Sequence, residues 1–339
     1  MFNITFANCL DPQNTKAYTA KPLNISSSQI NSGIKKTVLL NKRFEFDELL
    51  TTNIPASDRS LNYGDGTFTT MYYHLDLGIC LFNEHLDRLE KACSLLHIKY
   101  DKEFIKQLIF SIIEQFLTST DHQSSKQAYI IKILITRGSG GRGYAPPKDP
   151  HPLIIVSLYE CNEYTIPSKL EAISCCIADI QLSHQPVLAG LKHTSRLEQV
   201  LAKHELQILP FDELLLTDKD GLIIEATAAN VFLLKDDCWL TPELDLCGVK
   251  GVMRDALLSY MSSQGITSKI TRVHIDDLQS CDAAFACNAL NPVIPINTIQ
   301  SSKLNVDVNL NTSYSVNLAI DFTEWLNREN FFNLESTKS

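Results

Sequence analysis

The chain has 339 residues, 30 Lys and Arg against 39 Asp and Glu, and a formal net charge of −9. That length is generous for one small domain and comfortable for two. The mild negative charge argues against nucleic acid as a main partner, because a polyanion is held by concentrated Lys and Arg. No apolar run approaches the ~20 residues that span a bilayer, so no membrane segment is expected. The ten cysteines are scattered, and no two form a C-x-x-C pair, which argues against structural zinc. The first residues have no basic start followed by a long apolar stretch. A cytoplasmic chain with reduced, mostly buried cysteines is the expected setting.

In chain order, residues 1–36 are rich in Asn, Ser, Thr and Gln and poor in large apolar residues, which suits a loosely docked extension. Order is expected from a short β-like run at 37–40, with a second strand at 43–50. A turn-rich segment at 58–66 leads into a strand over 67–73, marked by β-branched and aromatic residues. Asn83 reads as the N-cap of a helix whose apolar positions are Leu86, Leu89, Ala92, Cys93 and Leu96. A second helix is expected over 104–116, and strands over 128–136 and 152–159. The polar stretch 161–169, with Pro167, reads as a linker between a domain at 37–160 and another at 170–339. Beyond it come a strand at 172–180, a helix at 196–207 and strands at 213–216 and 222–225. Short strands follow at 231–234 and 239–240, then a helix at 252–261. A strand at 283–287, a loop at 288–295 and a terminal helix at 322–332 complete the chain. Many strands without regular βαβ alternation predict an α+β fold.

Four segments could carry chemistry. Residues 137–144 place Arg137 and Arg142 around four glycines, so backbone N–H and guanidinium groups could meet a carboxylate or phosphate; a solvated hairpin tip fits the composition as well. Lys192 lies just before a helix with His193 and Arg196 nearby. Burial and neighbouring cations would keep its amine neutral and nucleophilic, whereas an ordinary lysine is solvated. Glu225 follows an apolar run and needs a partner: a protonated ring nitrogen, or a lysine or arginine. Residues 248–255 run from glycines into a helix start, the geometry of a phosphate site, although many helices begin so without a ligand.

Together these segments resemble the fold-type-IV pyridoxal-phosphate enzymes, which include branched-chain and D-amino-acid aminotransferases and 4-amino-4-deoxychorismate lyases. The lyase branch carries close versions of SDRSLNYGDGTFTT, HLDRLEKAC, TRGSGGRGY, LAGLKHTSRLEQVL, EATAANVF, GVKGVMR and CNALNPVIP in this order. The likeness covers roughly residues 37–298. It implies a two-domain fold like that of D-amino-acid aminotransferase, with a small α/β N-terminal domain and a larger, barrel-like C-terminal domain. It also implies a homodimer, and pyridoxal 5'-phosphate as cofactor.

Residue by residue, the resemblance makes Lys192 the Schiff-base lysine and Glu225 the carboxylate facing the pyridine nitrogen. Arg88 and the N–H groups of Val252 and Met253 would hold the phosphate, with Asn288 closing that cup and Arg196 beside the ring. Thr70 matches the lyase-type threonine near the substrate, and Arg137 and Arg142 would clamp substrate carboxylates. The implied reaction converts 4-amino-4-deoxychorismate to p-aminobenzoate and pyruvate in folate biosynthesis: the freed lysine takes the proton from the amine-bearing carbon, the enolpyruvyl group leaves, and the ring becomes aromatic. An aminotransferase acting on D-amino or branched-chain amino acids is the alternative on the same scaffold. Two departures stand out: the first 36 residues lack a counterpart in the shorter lyases, and Ser195 replaces the usual Asn after the lysine.

Overall fold

A computed structural model describes residues 34–41, 49–51, 54–118, 127–163, 171–301 and 303–332. Most of the expected extension and linker, and of the strand expected at 43–50, lie outside these residues. The first sheet has seven strands. They are β1 (Ile34–Asn41), β2 (Leu49–Thr51), β3 (Gly66–His74), β4 (Gly78–Cys80), β5 (Ala128–Thr136), β6 (Leu153–Cys161) and the C-terminal β16 (Phe331–Phe332). Their order is β16-β4-β3-β5-β6-β1-β2, all antiparallel.

Helices α2 (Phe82–Leu95) and α3 (Lys102–Thr118) cover one face of this sheet. On α2, Phe82, His85, Leu86, Leu89, Ala92 and Cys93 are buried, the spacing of one helical face. Leu86 and Leu89 are fully enclosed, each worth about 1.5–3 kcal/mol relative to exposure. The strand period of two then sorts β3: Met71 and Tyr73 join the core under the helices, while Tyr72 joins the core of the second sheet.

The second sheet contains β7 (Ile173–Leu182), β8 (Glu213–Asp218), β9 (Ile223–Ala226), β10 (Asn230–Lys235), β11 (Cys238–Pro242), β12 (Ser268–Thr271), β13 (Ala283–Asn288), β14 (Asn291–Ser301) and β15 (Val306–Asn309). Its order is β12-β11-β10-β13-β14-β7-β8-β9, with β15 beside β14. The edge strand β9 returns against β10 and β11, so the sheet curls like a barrel. Helices α4 (Leu197–Leu206), α5 (Val252–Ser263) and α6 (Thr312–Glu329) complete this half. Among the described residues, no helix is long and apolar enough to cross a membrane.

Four expectations need correction. The turn-rich segment holds a one-turn helix, α1 (Arg59–Tyr63), because the Asp58 side chain caps the N–H groups of Ser60 and Leu61. Asn83 is not an N-cap; Leu81, in a left-handed conformation, caps α2 two residues earlier. The expected loop at 288–295 turns at once into β14. Pro295 fits that strand because it pairs with Phe285 and stands just before the parallel ladder to β7 begins at Ile296. The terminal helix starts at Thr312, capped by Asn311, and is followed by the short strand β16.

Candidate active site

Lys192 sits on a segment bonded on one side to β3 of the first sheet and on the other to the loop that leads into α5. Its carbonyl accepts from Phe68 N–H at 3.1 Å and from Thr67 Oγ1 at 3.0 Å, and Thr194 N–H donates to the Gly66 carbonyl at 3.0 Å. On the other side, Gly190 exchanges backbone bonds with Gly248 and Lys250 at 2.9 and 3.1 Å. Gly190 has φ of +80°, which a residue with a Cβ rarely adopts. With its backbone fixed, the Lys192 amine reaches the cavity wall, 4.8 Å from the centre of the Phe68 ring.

Burial, and then the nearby charge of Arg88, bring the Lys192 pKa down to about 8; Arg196 and Lys132 add to this and Glu225 opposes it. His193 is pushed down to about 4 by burial and by Arg196, whose guanidinium it contacts. It is therefore neutral at physiological pH. Glu225 lies across the cavity at the end of β9 and is 4% exposed. Its two oxygens are held by neutral donors, Val249 N–H at 2.8 Å and the Gln199 amide at 3.2 Å. Burial raises its pKa, against the pull of Val249 N–H, Arg196, Lys192 and Gln199. A carboxylate so placed is matched by a cation entering the cavity rather than by a lysine or arginine bound to it.

Arg88, from α2, and the first turn of α5 also line the cavity. No side chain caps α5, and Val252 and Met253 line the wall. The turn is set by Asn230, which accepts from Gly251 N–H at 3.0 Å and donates to the Val249 carbonyl at 2.8 Å. A Cβ on Gly251 would lie 2.2 Å from Asn230 Oδ1, so glycine is required there for space. Arg88 donates to Thr69 Oγ1, while its buried Nε has no partner.

Lys192, Thr70, Arg88, Arg196, Glu225, Val252, Met253 and Asn288 thus share one cavity. Asn288 contributes wall rather than a free amide: its Oδ1 accepts from Leu290 and Asn291 N–H, and its Nδ2 donates to the Ala228 carbonyl.

The two arginines expected as carboxylate clamps, Arg137 and Arg142, do not line this cavity. Arg137 is buried and donates to both oxygens of Asp65 at 2.7 and 2.9 Å and to the carbonyls of His97 and Leu96. Arg142 is exposed at the tip of the glycine-rich loop and does not line the cavity. The loop also turns its carbonyls, not its N–H groups, inward. Arg59, 4% exposed, donates to the carbonyls of Gly143, Tyr144 and Ala145 and pairs with Asp65 at 2.8 Å. Burial pushes the Asp65 pKa up, but the bonds from Arg137 and Arg59 more than offset it, and the net shift is down.

Sequence reasoning missed Arg59, Gln199 and Lys132. Gln199 has a fully buried Oε1 without a partner, facing the same cavity as Glu225. Lys132 pairs in register with Thr70 and holds its amine 5.3 Å from the Phe68 ring. Its signal was present: it is the lone charge in the apolar strand AYIIKILIT.

These groups fit pyridoxal 5'-phosphate. A buried amine of lowered pKa would hold the aldehyde, a buried carboxylate held by neutral donors would suit the ring nitrogen, and an arginine with an orphaned Nε together with an uncapped helix start would suit the phosphate.

Comparison with known proteins agrees. The model of the amino-transferase class IV family matches residues 66–299. An aminodeoxychorismate lyase from Vibrio harveyi is 31% identical over 264 residues, covering 78% of this chain and 94% of that protein. The crystal structure of 4-amino-4-deoxychorismate lyase from Pseudomonas aeruginosa superposes with a TM-score of 0.70 at 29% identity, covering 83% of this chain and 97% of that one. A putative branched-chain-amino-acid aminotransferase from Methanocaldococcus jannaschii is 26% identical, covering 79% of this chain and 89% of that protein. The chain belongs to the amino-transferase class IV family of fold-type-IV pyridoxal-phosphate enzymes.

Proposed function

We propose that the protein is a lyase that converts 4-amino-4-deoxychorismate to p-aminobenzoate and pyruvate, a step of folate biosynthesis. The observation that carries the reading is the cavity in which the Lys192 amine, its pKa lowered to about 8, faces Glu225 with Thr70 beside it. The likeness to the Vibrio harveyi and Pseudomonas aeruginosa lyases supports this reaction over amino transfer.

Bound at Lys192, the cofactor supplies an electron sink for the bond broken at the amine-bearing carbon. Glu225, from its buried seat, would keep the ring nitrogen protonated. Lys192, with its amine free, would take the proton from the amine-bearing carbon. The C–O bond to the enolpyruvyl group then breaks. Thr70, on the cavity wall, would lend a proton to the leaving oxygen; on ketonisation the enol returns that proton from its oxygen and gains at its terminal carbon the one that Lys192 took, so the protons balance. The ring keeps its amine and carboxylate and becomes aromatic, so no water or oxidant is consumed. With Arg137 engaged by Asp65, Lys132 is the cation on the Thr70 side suited to a substrate carboxylate.

A homodimer in the cytoplasm completes the proposal. Helix α4 carries Arg196 at its cap and Gln199 on the cavity wall, yet exposes Leu197, Val200 and Leu201 at 71%, 59% and 50%, an apolar face suited to a second copy. The described cysteines are all free, in keeping with a reducing compartment.

The test supplies 4-amino-4-deoxychorismate without any keto acid. Equal amounts of p-aminobenzoate and pyruvate support the lyase. Product that forms only when a keto acid is present, with transfer of the amine to it, refutes the lyase in favour of an aminotransferase.

A further inference from the structure

His85 is buried to 1% exposure, one turn before Arg88 on α2, and the proposed chemistry makes no use of it. Its Nδ1 lies 2.7 Å from the hydroxyl of Thr69, which is itself fully buried in the middle of β3. The Arg88 guanidinium donates to the same hydroxyl and lies 3.3 Å from the same ring nitrogen. The proton directions follow from the donor inventory. A guanidinium only donates, so Thr69 Oγ1 accepts from Arg88; because the same guanidinium also points a donor at His85 Nδ1, that nitrogen carries no hydrogen and the Thr69 hydrogen goes to it. His85 Nδ1 must then be the bare acceptor, and the ring is neutral. Burial, with the charges of Arg88 and Lys192, holds the His85 pKa well below its ordinary value, in agreement.

We propose that Thr69 and His85 are positioning residues: a neutral, buried pair that holds Arg88 in the orientation facing the phosphate end of the cavity without neutralising it. An aspartate or glutamate in their place would fix the arginine equally well but would compete with the ligand anion for its charge. Neutral acceptors fix the side chain and leave the charge to act beside the first turn of α5. The inference rests on the reading of Arg88 as the group that meets the cofactor phosphate.

The test compares binding of pyridoxal 5'-phosphate and of pyridoxal, which lacks the phosphate, to the cofactor-free protein by absorbance titration. Thr69→Val keeps the shape and removes the hydroxyl; Thr69→Ser restores it. His85→Leu removes the acceptor; His85→Asn returns an oxygen near the position of Nδ1. The expected result is a loss of pyridoxal 5'-phosphate affinity of about tenfold or more in Thr69→Val and His85→Leu, with pyridoxal affinity unchanged and substantial recovery in Thr69→Ser and His85→Asn. Unchanged affinity for both ligands, or an equal loss for both, overturns the proposal. Arg88→Gln separates the two layers. If it lowers the preference for the phosphorylated ligand while Thr69→Val does not, the positioning role is wrong and the reading of Arg88 stands. If Arg88→Gln leaves that preference intact, both fall together.

Discussion

The depressed pKa of Lys192 has a kinetic consequence that a change of pH exposes directly. Only the neutral amine captures an aldehyde. With a pKa of about 8, the neutral fraction rises from about 9% at pH 7 to about 91% at pH 9, about a tenfold gain that then levels off. At the ordinary lysine value of 10.5 the neutral fraction would be about 0.03% at pH 7 and about 3% at pH 9, about a hundredfold gain still climbing at pH 10. The assay is stopped-flow capture of pyridoxal 5'-phosphate by the cofactor-free protein across pH 6.5 to 10, with pH values chosen around that window. A rate that bends near pH 8 is expected. A rate that climbs without bending to pH 10 refutes the claim that burial and the surrounding cations have lowered this amine. Lys132→Met, which removes one of those cations, moves the bend upward.

Other consequences follow from named contacts. The folded pKa of Glu225 is raised above 4.5, so its stabilisation of the fold is complete below the unfolded value and is lost as pH rises through the folded one. Glu225→Gln therefore raises the thermal midpoint of the cofactor-free protein at pH 7 while cutting activity, and the difference in midpoint disappears near pH 4; a lower midpoint at pH 7 contradicts this. Arg59→Met removes the side chain that holds the carbonyls of 143–145 while leaving Asp65 its pair with Arg137. A loss of about 2–3 kcal/mol in urea unfolding is expected, with faster tryptic cleavage at Arg142; an unchanged cleavage rate argues against the clamp. Arg142→Ala, exposed and outside the cavity of its own chain, leaves affinity for pyridoxal 5'-phosphate within about twofold by absorbance titration.

What was legible in the sequence is what local chemistry dictates. Strand β5 reads correctly to the residue because an apolar β-branched run is bounded by polar segments, and α4 and α5 read correctly because each follows a turn and has an apolar face. The wall-forming residues of the cavity were found through the order of several motifs, since no one of them separates a buried lysine from a solvated one. The loop arginines misled because composition does not say which way a loop turns. Only the fold brings Asp65 and Arg59 against residues 137–145 and consumes Arg137 there. The two prolines of 292–295 masked a strand whose partner, β13, was visible, because a proline at the edge of a ladder and a proline in a loop look alike in sequence. The Thr69–His85 pair was hidden for a similar reason: it joins a strand to a helix sixteen residues away through one hydroxyl.

The central claim is that Lys192 is the covalent anchor of the cofactor. Borohydride reduction of the loaded protein, followed by peptide mass spectrometry, reads it directly. The account predicts the reduced cofactor on Lys192 in the wild-type protein and none fixed in Lys192→Ala. A label found instead on Lys132 or Lys250, or retained in Lys192→Ala, would contradict it.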